Sequence, residues 1–411
     1  MTTIHNKTCL ACGSEDLLLV LDLDQQPLAN SFLLDPEHEE DQHPLAVNMC
    51  KRCHHLQLTH SVDPDLIYKN YLYVSGTSAT YLAYMRWYAR FVQETFRTYA
   101  GRPMHTVLDI GCNDGSQLDA FKDDKITTFG VDPARNLHSI SMGKGHKVVC
   151  DFWNQDARKE VMKEAGDKGI DVFSSQNAFA HIPDPQGYLA LVRETMQPES
   201  LLFISTSQAD MILNDEFDTI YHEHISFFNI NSMRALAERS GLHLIDAVKT
   251  PIHGTSYIFV LAKRPKPHRV MNLVSMEKMQ GLYDDETYAH WAANTLRLVA
   301  ELKTFVELYK NKGYVLAGYG AAAKGNTLLN FSKVSLDFII DDNQLKQNKF
   351  TPGMHIPVVG IDHLDKYTSD DKILFVPLAW NYFSDIQKKI RTKRSNDNDK
   401  FLKYFPKVVI E

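Results

Sequence analysis

The chain has 411 residues, of which 44% are hydrophobic and 23% are charged, and its formal net charge is −7. This length allows two or three domains, and the composition is ordinary for a globular protein. No apolar run reaches the roughly 20 residues that span a bilayer, so the sequence predicts no membrane segment. The negative charge argues against a general attraction for nucleic acid.

Two C-x-x-C pairs stand near the N-terminus and consist of Cys9, Cys12, Cys50 and Cys53. Each pair can supply one edge of a tetrahedral thiolate site, so the four residues predict a structural Zn²⁺ site. The alternative is a pair of disulfides. The chain has only six cysteines and its first residues lack an apolar signal core, so we expect a reducing, cytoplasmic environment.

The next part of the chain predicts an aromatic-rich helix and then alternating strands and helices. The helix covers 71–96, where apolar residues recur at spacings of three and four. Apolar strands separated by helices indicate a parallel sheet covered on both faces. Seven strands with a glycine loop after the first are the arrangement of a class I methyltransferase. The candidate strands are 106–111, 127–132, 147–150, 171–177, 201–206, 242–248 and 256–262.

The first of these strands runs into the loop sequence VLDIGCNDG. Asp109 ends the strand, Gly111 permits a tight turn before Asn113, and Gly115 lets a helix begin close to a ligand. Asp132 follows about twenty residues later, where a carboxylate accepts hydrogen bonds from ribose hydroxyls. The D-x-G-x-x-x-G spacing and the acidic surroundings favour S-adenosylmethionine over NAD or FAD, because the G-x-G-x-x-G fingerprint is absent.

Two later strand ends add candidate contacts to the methyl donor. Asp151 and Phe152 follow the third strand, and Asn177 follows the fourth. Loops at the carboxyl ends of strands bind ligands in open α/β sheets, and Asn177 suits the amino-acid part of the donor. The alternative for these residues is simple capping of the loops.

Four ionisable residues come together after the fifth strand. Tyr221, His222, Glu223 and His224 place a phenol, two imidazoles and a carboxylate in consecutive positions. Such a cluster on a loop indicates a catalytic role for at least one of them. A second metal site is an alternative because H-x-H can bind zinc, but the four cysteines offer the better zinc ligands.

The C-terminal part predicts a second, smaller α/β unit. A helical region covers about 275–311, and the strand and loop YVLAGYGAAAKGN follow it. Gly318, Gly320 and Lys324 near a helix start are typical of a loop that faces a nucleotide or a phosphate, although the pattern is not a P-loop. The alternative is a Rossmann-like fold kept for packing.

The motifs in this order resemble one family. Taken together, the C-x-x-C pairs, DIGCNDG, AHIPDP, Y-H-E-H and GYGAAAKGNTLL are similar to those of the three-domain sugar C-methyltransferases. These enzymes methylate C3 of a 4-keto-deoxysugar carried on a nucleoside diphosphate, and the resemblance covers essentially the whole chain. We therefore expect an N-terminal zinc-binding domain (1–70), a central class I methyltransferase domain (71–265) and a C-terminal Rossmann-like domain (266–411) that helps enclose the sugar nucleotide.

The resemblance also implies roles for individual residues. His224 is the base, Tyr221 stabilises the enolate, Glu223 and His181 line the reaction site, and Tyr73 reaches the sugar or the donor. A ketone at C4 acidifies the C3 proton, and a histidine with a pKa near 7 can remove it. A phenol that donates to the C4 oxygen would stabilise the charge that develops there.

Two other functions stay open. O- or N-methylation of a sugar or another small metabolite keeps the donor but needs no base beside an enol-forming ketone, so Y-H-E-H counts against it. A zinc-dependent nucleic-acid-binding module with an inactive methyltransferase fold is disfavoured by the net charge, the acidic stretch 35–42 and the complete donor loop. We therefore predict a nucleotide-linked keto-deoxysugar as the substrate and no nucleic-acid partner.

Overall fold

The computed structural model describes residues 3–69, 74–77, 79–122, 125–206, 210–252, 255–266 and 269–411. The chain divides into two compact units, and each is built from three separate segments. The first unit contains Met1–Leu18, Asn48–Asp210 and Ile225–Asp284. The second unit contains Leu19–Val47, Met211–His224 and Asp285–Glu411.

Short strands surround the N-terminal cysteines. β1 pairs antiparallel with β5, and helix α1 (Pro64–Tyr68) follows. Asp63 begins this helix because its side chain accepts the Asp65 N–H, and a proline occupies the first turn. In the described part of this region the strands are β1 (Thr3–His5), β2 (Leu17–Gln26), β3 (His43–Cys50), β4 (Leu56–Leu58) and β5 (His60–Val62).

A sheet of seven strands, counted over the described residues, organises the first unit. The strands of this part of the chain are β6 (Thr106–Ile110), β7 (Thr127–Val131), β8 (Lys147–Val149), β9 (Val172–Gln176), β10 (Leu201–Thr206), β11 (Ser226–Phe227), β12 (His243–Thr250) and β13 (Ser256–Ala262). The sheet order is β12-β13-β10-β9-β6-β7-β8, and β11 pairs instead with β4. β13 runs antiparallel to both neighbours, whereas the strands from β10 to β8 are parallel. The predicted class I methyltransferase fold is confirmed.

Helices cover both faces of this sheet. Neighbouring side chains of a strand point to opposite faces. Val107 of β6 accordingly packs in one buried cluster with Tyr88, and Leu108 packs in another with Leu189. The helices are α2 (Ala79–Ala100), α3 (Ser116–Phe121), α4 (Arg135–Gly143), α5 (Gln155–Ala165), α6 (Pro185–Thr195), α7 (Ile230–Arg239) and α8 (Arg269–Met279).

The second unit also contains a seven-stranded sheet within the described ranges. Its helices are α9 (Asp285–Asn311), α10 (Ala323–Ser332) and α11 (Phe383–Lys393). Its strands are β14 (Val315–Tyr319), β15 (Phe338–Ile340), β16 (Lys349–Phe350), β17 (Pro357–Val359), β18 (Ile373–Pro377), β19 (Lys400–Lys403) and β20 (Val409–Ile410). The order is β16-β17-β15-β14-β18-β19-β20, with parallel pairing from β17 to β19. This confirms the predicted Rossmann-like architecture.

The helical region predicted at about 275–311 is two helices rather than one. α8 ends at Met279 and α9 begins at Asp285. Gly281 lies between them with φ of +81°, a conformation that favours glycine and interrupts a helix. The domain limits predicted at 70 and 265 stay a prediction.

Candidate active site

The four cysteines predicted to bind zinc lie together in the first unit. The sulfur atoms of Cys9 and Cys53 are 3.6 Å apart, those of Cys12 and Cys50 are 3.5 Å apart, and all four lie within 4.8 Å of one another. A disulfide would bring two sulfurs to about 2.05 Å. Two thiolates bound tetrahedrally at about 2.3 Å from one zinc ion are about 3.8 Å apart. The spacing and the donor set therefore fit a Cys₄ zinc site.

The loop between β6 and α3 turns at residues with left-handed backbone conformations. Gly111 has φ of +87°, and a Cβ at this position would lie 2.5 Å from the Cβ of Ala178. Gly115 has φ of +77° and caps α3. Asn113 has φ of +53°, and its side-chain oxygen accepts the N–H of Ser75 at 3.0 Å. The two glycines are needed here because side chains would strain the turn and block the approach to its backbone.

Asp132 follows β7 and anchors this loop. Its carboxylate accepts the N–H of Asn113 at 2.8 Å and that of Ala134 at 2.9 Å. Burial raises the pKa of Asp132. Each carboxylate oxygen carries a further lone pair, so the chemistry still allows the predicted bonds to ribose hydroxyls. That contact stays a prediction.

Asp109 places a buried carboxyl group in the strand before the same loop. The residue is 2% exposed, and its Oδ1 has no hydrogen-bond partner among the described residues. Burial raises the pKa of Asp109 to about 7, and the nearby charge of Asp132 adds to the effect. A buried carboxyl oxygen without a partner suits a cationic ligand. The sulfonium and ammonium groups of S-adenosylmethionine meet this requirement.

The other predicted donor contacts occupy the loops after β8 and β9. Asp151 accepts the N–H of Phe152 at 2.7 Å and the side-chain amide of Asn154 at 2.9 Å, which is the geometry of loop capping. Asn177 has φ of +52°, and its side-chain nitrogen donates to the hydroxyl of Tyr81 at 3.1 Å. The contacts of Asp151, Phe152 and Asn177 to the donor stay predictions.

His181 lies in a short helical turn of the first unit. The hydroxyl of Tyr68, at the end of α1, is 2.7 Å from its Nδ1. Burial lowers the pKa of His181 to about 4, so the imidazole is neutral at physiological pH. Tyr73, the upstream tyrosine predicted to reach the sugar or the donor, lies outside the described residues.

Tyr221 and His224 form a hydrogen-bonded pair in the second unit. The Tyr221 hydroxyl is 2.8 Å from Nε2 of His224, and Nδ1 of the same ring is 2.9 Å from the carbonyl oxygen of Thr219. A carbonyl oxygen can only accept, so Nδ1 carries the hydrogen and Nε2 carries the lone pair. The buried His224 ring is therefore held in the tautomer that exposes a basic nitrogen to the tyrosine.

The two residues between this pair have different surroundings. Asn30 donates to the buried Glu223 carboxylate at 2.5 Å. Nε2 of His222 lies 3.2 Å from the carbonyl oxygen of His43. Burial lowers the pKa of His222 to about 4, which suits a structural, neutral imidazole. Of the two histidines in this block, His224 has the contacts of a base.

Sequence reasoning missed the partners that position these side chains. Four residues that the sequence did not indicate contact a predicted site residue. They are Thr219, Asn30, Tyr68 and Tyr81. Thr219 acts through its backbone carbonyl, which leaves no signature in the sequence. Asn30 belongs to a segment predicted as part of the zinc-binding domain and is 193 positions from Glu223. Tyr81 belongs to the aromatic-rich stretch 71–96, which we interpreted as packing, and Tyr68 precedes that stretch.

Comparison with known proteins gives the same order of parts. Three family models match: a zinc binding domain over residues 9–68, a methyltransferase domain over 81–247 and a C-methyltransferase C-terminal domain over 251–406. The C-methyltransferase NovU of Streptomyces niveus is 31% identical over 388 residues, which cover 92% of this chain and 90% of NovU. The chain belongs to this C-methyltransferase family. It is an S-adenosylmethionine-dependent C-methyltransferase with a zinc-binding N-terminal region.

Other similarities to this C-methyltransferase are partial. A ubiquinone biosynthesis O-methyltransferase of Coxiella burnetii is 23% identical over 168 residues, covering 38% of this chain and 71% of that protein. The plantazolicin methyltransferase BamL, solved with S-adenosylhomocysteine, covers 45% of this chain and 87% of its own at 12% identity, with a TM-score of 0.37. In the described part of the chain, no helix has the length and apolar character that crossing a membrane requires.

Proposed function

We propose that this C-methyltransferase adds a methyl group to C3 of a 4-keto-deoxysugar carried on a nucleoside diphosphate, with His224 as the base. The observation that carries the proposal is the His224 ring, which is held at both nitrogens by Thr219 and Tyr221. The resemblance of the motifs supplies the substrate class. Membership of the C-methyltransferase family argues against the alternative, O- or N-methylation.

The tautomer of His224 suits the removal of a proton from carbon. The C3 proton of a 4-ketosugar is acidified by the adjacent carbonyl, and Nε2 has the lone pair that accepts it. The positive charge of the resulting imidazolium is stabilised by the carbonyl oxygen of Thr219, which accepts from Nδ1. The electron pair of the C–H bond becomes the C3–C4 double bond of an enolate, with the negative charge on the C4 oxygen.

The hydroxyl of Tyr221 complements this step. In the resting pair it donates to Nε2 of His224. Before Nε2 can take the C3 proton, the hydroxyl must rotate away from this lone pair, and it can then donate to the C4 oxygen. A hydrogen bond at that oxygen stabilises the enolate because charge develops on it during the reaction.

The remaining assignments rest on the resemblance and on the donor loop. Glu223, fixed by Asn30, and His181 line the reaction site, and Tyr73 reaches the sugar or the donor. When bound, S-adenosylmethionine supplies the electrophilic methyl group that the C3 carbon accepts. In the first unit, the unpartnered carboxyl oxygen of Asp109 fits the positive charge of this donor.

Exchange of the C3 hydrogen in deuterium oxide tests the base directly. Replacing His224 with Gln should slow this exchange and the overall turnover by about 10²–10⁴-fold, the usual contribution of a positioned general base. Mass spectrometry follows the exchange, and NMR of the product locates the new methyl group. The matched control is His290→Gln, which replaces an exposed histidine of α9 in the same unit. It should leave the exchange rate and the turnover rate unchanged.

Two outcomes would contradict the proposal. Exchange that continues at the wild-type rate in His224→Gln removes this residue as the base. A product whose new methyl group is bound to oxygen or nitrogen removes C-methylation and favours the alternative function.

A further inference from the structure

Helix α10 of the second unit holds two distant stretches of the chain through buried side chains. Asn326 and Thr327 are consecutive in this helix and are 2% and 1% exposed. Consecutive helical residues point about 100° apart, so the two side chains leave the helix in different directions. The amide of Asn326 donates to the carbonyl oxygen of Ala29 at 2.7 Å, and the hydroxyl of Thr327 donates to that of Ile220 at 3.0 Å. One helix therefore fixes both stretches.

The hydroxyl of Thr327 fixes the peptide that leads into Tyr221. A threonine inside a helix commonly returns this hydrogen bond to a carbonyl of its own preceding turn, but Thr327 gives it to Ile220 instead. The carbonyl one residue earlier, that of Thr219, accepts from Nδ1 of His224 at 2.9 Å. Each peptide group is planar, and these two groups share one Cα, so fixing the first restricts the second. Thr327 therefore restrains both the tyrosine and the support of the imidazole.

A ring contact holds the beginning of the same turn. The N–H of Ile220 donates to the carbonyl oxygen of Phe217 at 2.9 Å, which closes the turn. The buried ring of Phe217 meets that of Phe331, near the end of α10, edge to face with centroids 6.4 Å apart. Such pairs prefer this geometry to a direct face-to-face arrangement. The turn is therefore held by α10 at both of its ends.

Asn326 acts on the carboxylate of the same block through one intermediate. The carbonyl that it holds, that of Ala29, immediately precedes Asn30, whose amide donates to the buried Glu223 carboxylate at 2.5 Å. Asn326 is itself restrained, because its backbone carbonyl accepts from the side-chain amide of Asn330 at 2.9 Å. A hydrogen bond to a carboxylate is stronger than one between neutral groups, so the amide of Asn30 defines where this carboxylate lies.

Another buried hydroxyl of α10 shows the contrasting case. Ser332 is 4% exposed; its hydroxyl donates to the carbonyl oxygen of Leu329 and accepts the N–H of Val334. These partners belong to the end of the helix, so the bonds stabilise the helix alone. The acceptors of Asn326 and Thr327 instead lie next to the residues of the reaction site.

We propose that α10 is a positioning element for methyl transfer. Thr327 orients the pair formed by Tyr221 and His224, and Asn326 orients the amide that holds Glu223. Both are positioning residues, because they act through backbone carbonyls rather than by touching the substrate. The inference rests on the proposed function, since it takes His224 as the base.

Steady-state kinetics of the full-length, zinc-loaded protein test the role of Thr327. Thr327→Val keeps the shape of the side chain and removes the donor. We expect kcat and the rate of C3 exchange to fall by about 10–100-fold, the effect of a small misplacement of reacting groups, with the KM for the acceptor unchanged. Thr327→Ser keeps the hydroxyl and should restore most of the turnover.

Double-mutant cycles separate positioning from a purely structural role. A residue that acts through His224 has little left to lose once that base is gone, so Thr327→Val should barely slow His224→Gln further. By the same logic, Asn326→Leu should lower kcat about 10-fold in the wild-type background and hardly at all in Glu223→Gln. A residue that only stabilises the fold would slow both backgrounds by the same factor.

Two control variants accompany these measurements. Ser332→Ala removes the buried hydroxyl at the end of α10 and should lower the Tm without changing kcat. Thr304→Val changes an exposed threonine of α9 and should leave both the Tm and kcat as they are. A cooperative thermal melt reports whether each variant is folded. If Thr327→Val is not folded, the cycle of Asn326→Leu with Glu223→Gln decides the proposal.

The positioning role is wrong if folded Thr327→Val turns over at the wild-type rate, or if either cycle is additive. Failure of the proposed function has a different signature. C3 exchange that persists in His224→Gln removes the base, whatever Thr327→Val does. Slow exchange in His224→Gln with wild-type exchange in Thr327→Val keeps the base and removes the role of α10.

Discussion

The loops after β6 and after β14 share one backbone design. Each begins with a glycine of similar conformation, Gly111 with φ of +87° and Gly320 with φ of +88°. In each, a loop N–H donates to an aspartate at the end of the next parallel strand. Both loops lead into a helix, α3 in the first unit and α10 in the second.

The buried groups that lack a hydrogen-bond partner differ in charge between the two loops. Among the described residues these are Oδ1 of Asp109 at the first loop and Nζ of Lys324 at the second. The backbone makes a place for a ligand in both cases, and the nearby side chains select the charge of that ligand. The first loop fits a cationic methyl donor, and the second fits an anionic group.

Replacing the glycine of each loop should give the largest difference in ligand affinity between the two loops. Gly111→Ala introduces a Cβ 2.5 Å from Ala178 at a strained φ, so we expect S-adenosylhomocysteine affinity to fall by roughly 100-fold. Gly320→Ala changes the other loop and should leave this affinity unchanged. Calorimetry with S-adenosylhomocysteine measures both variants.

Gly101→Ala is the control for this pair, because Gly101 has φ of +70° but nothing within 4 Å of an added Cβ. Gly101→Ala should lower the stability without changing the affinity for S-adenosylhomocysteine. The comparison breaks down if Gly111→Ala and Gly320→Ala weaken the same ligand to the same extent.

Replacing the aspartates that accept the loop N–H groups should change ligand affinity less than replacing the glycines. Asp132→Asn turns one acceptor oxygen into an NH₂ group that faces a backbone N–H, so the loop loses a hydrogen bond. We expect about a 10-fold loss of S-adenosylhomocysteine affinity. Asp341→Asn removes the corresponding bond at the other loop and should leave that affinity unchanged. Unchanged donor affinity in Asp132→Asn would show that the hydrogen bonds of Asp132 to the loop do not support donor binding.

The smallest expected effect concerns the pH dependence of stability. Burial raises the folded-state pKa of Asp109 to about 7 from an ordinary value of 3.8, so the folded protein prefers the protonated carboxyl. Stability is therefore lost as the pH rises between about 4 and 7. Asp109→Asn should raise the Tm of the ligand-free protein by a few degrees more at pH 8 than at pH 5.

Thermal melts across this pH range check that prediction. The control is Asp167→Asn, which replaces an exposed aspartate of the same unit. It should change the Tm only slightly, and by the same amount at both pH values. A gain in Asp109→Asn that does not grow with pH would show that this carboxyl is ionised in the folded protein throughout the range.

Local sequence patterns were sufficient for the fold and for the first loop. Apolar runs such as LLFIST become fully buried strands, because a sheet covered on both faces accepts apolar side chains on both sides. Gly111 and Asp132 are separated by one helix and one strand, so their spacing predicts that they lie at the ends of adjacent parallel strands. The zinc ligands were equally accessible, because each cysteine pair is local.

The surroundings of Tyr221 and His224 could not be predicted in this way. The sequence places these residues after β10, yet Met211–His224 belongs to the second unit. Asp218 in this segment accepts hydrogen bonds from Trp380 and from Tyr404, which are more than 160 positions away. Contacts over such separations have no local pattern, so the motif indicated a catalytic role without its structural setting.

The alternation of the chain between its units sets an order of events during translation. Leu19–Val47 leaves the ribosome long before Asp285–Glu411, the segment that completes the same unit. Until then the early segment lacks late partners such as Asn326, whose side chain donates to the carbonyl oxygen of Ala29 at 2.7 Å. A truncated gene that omits the last third of the protein would therefore also leave an early part of the polypeptide unsupported.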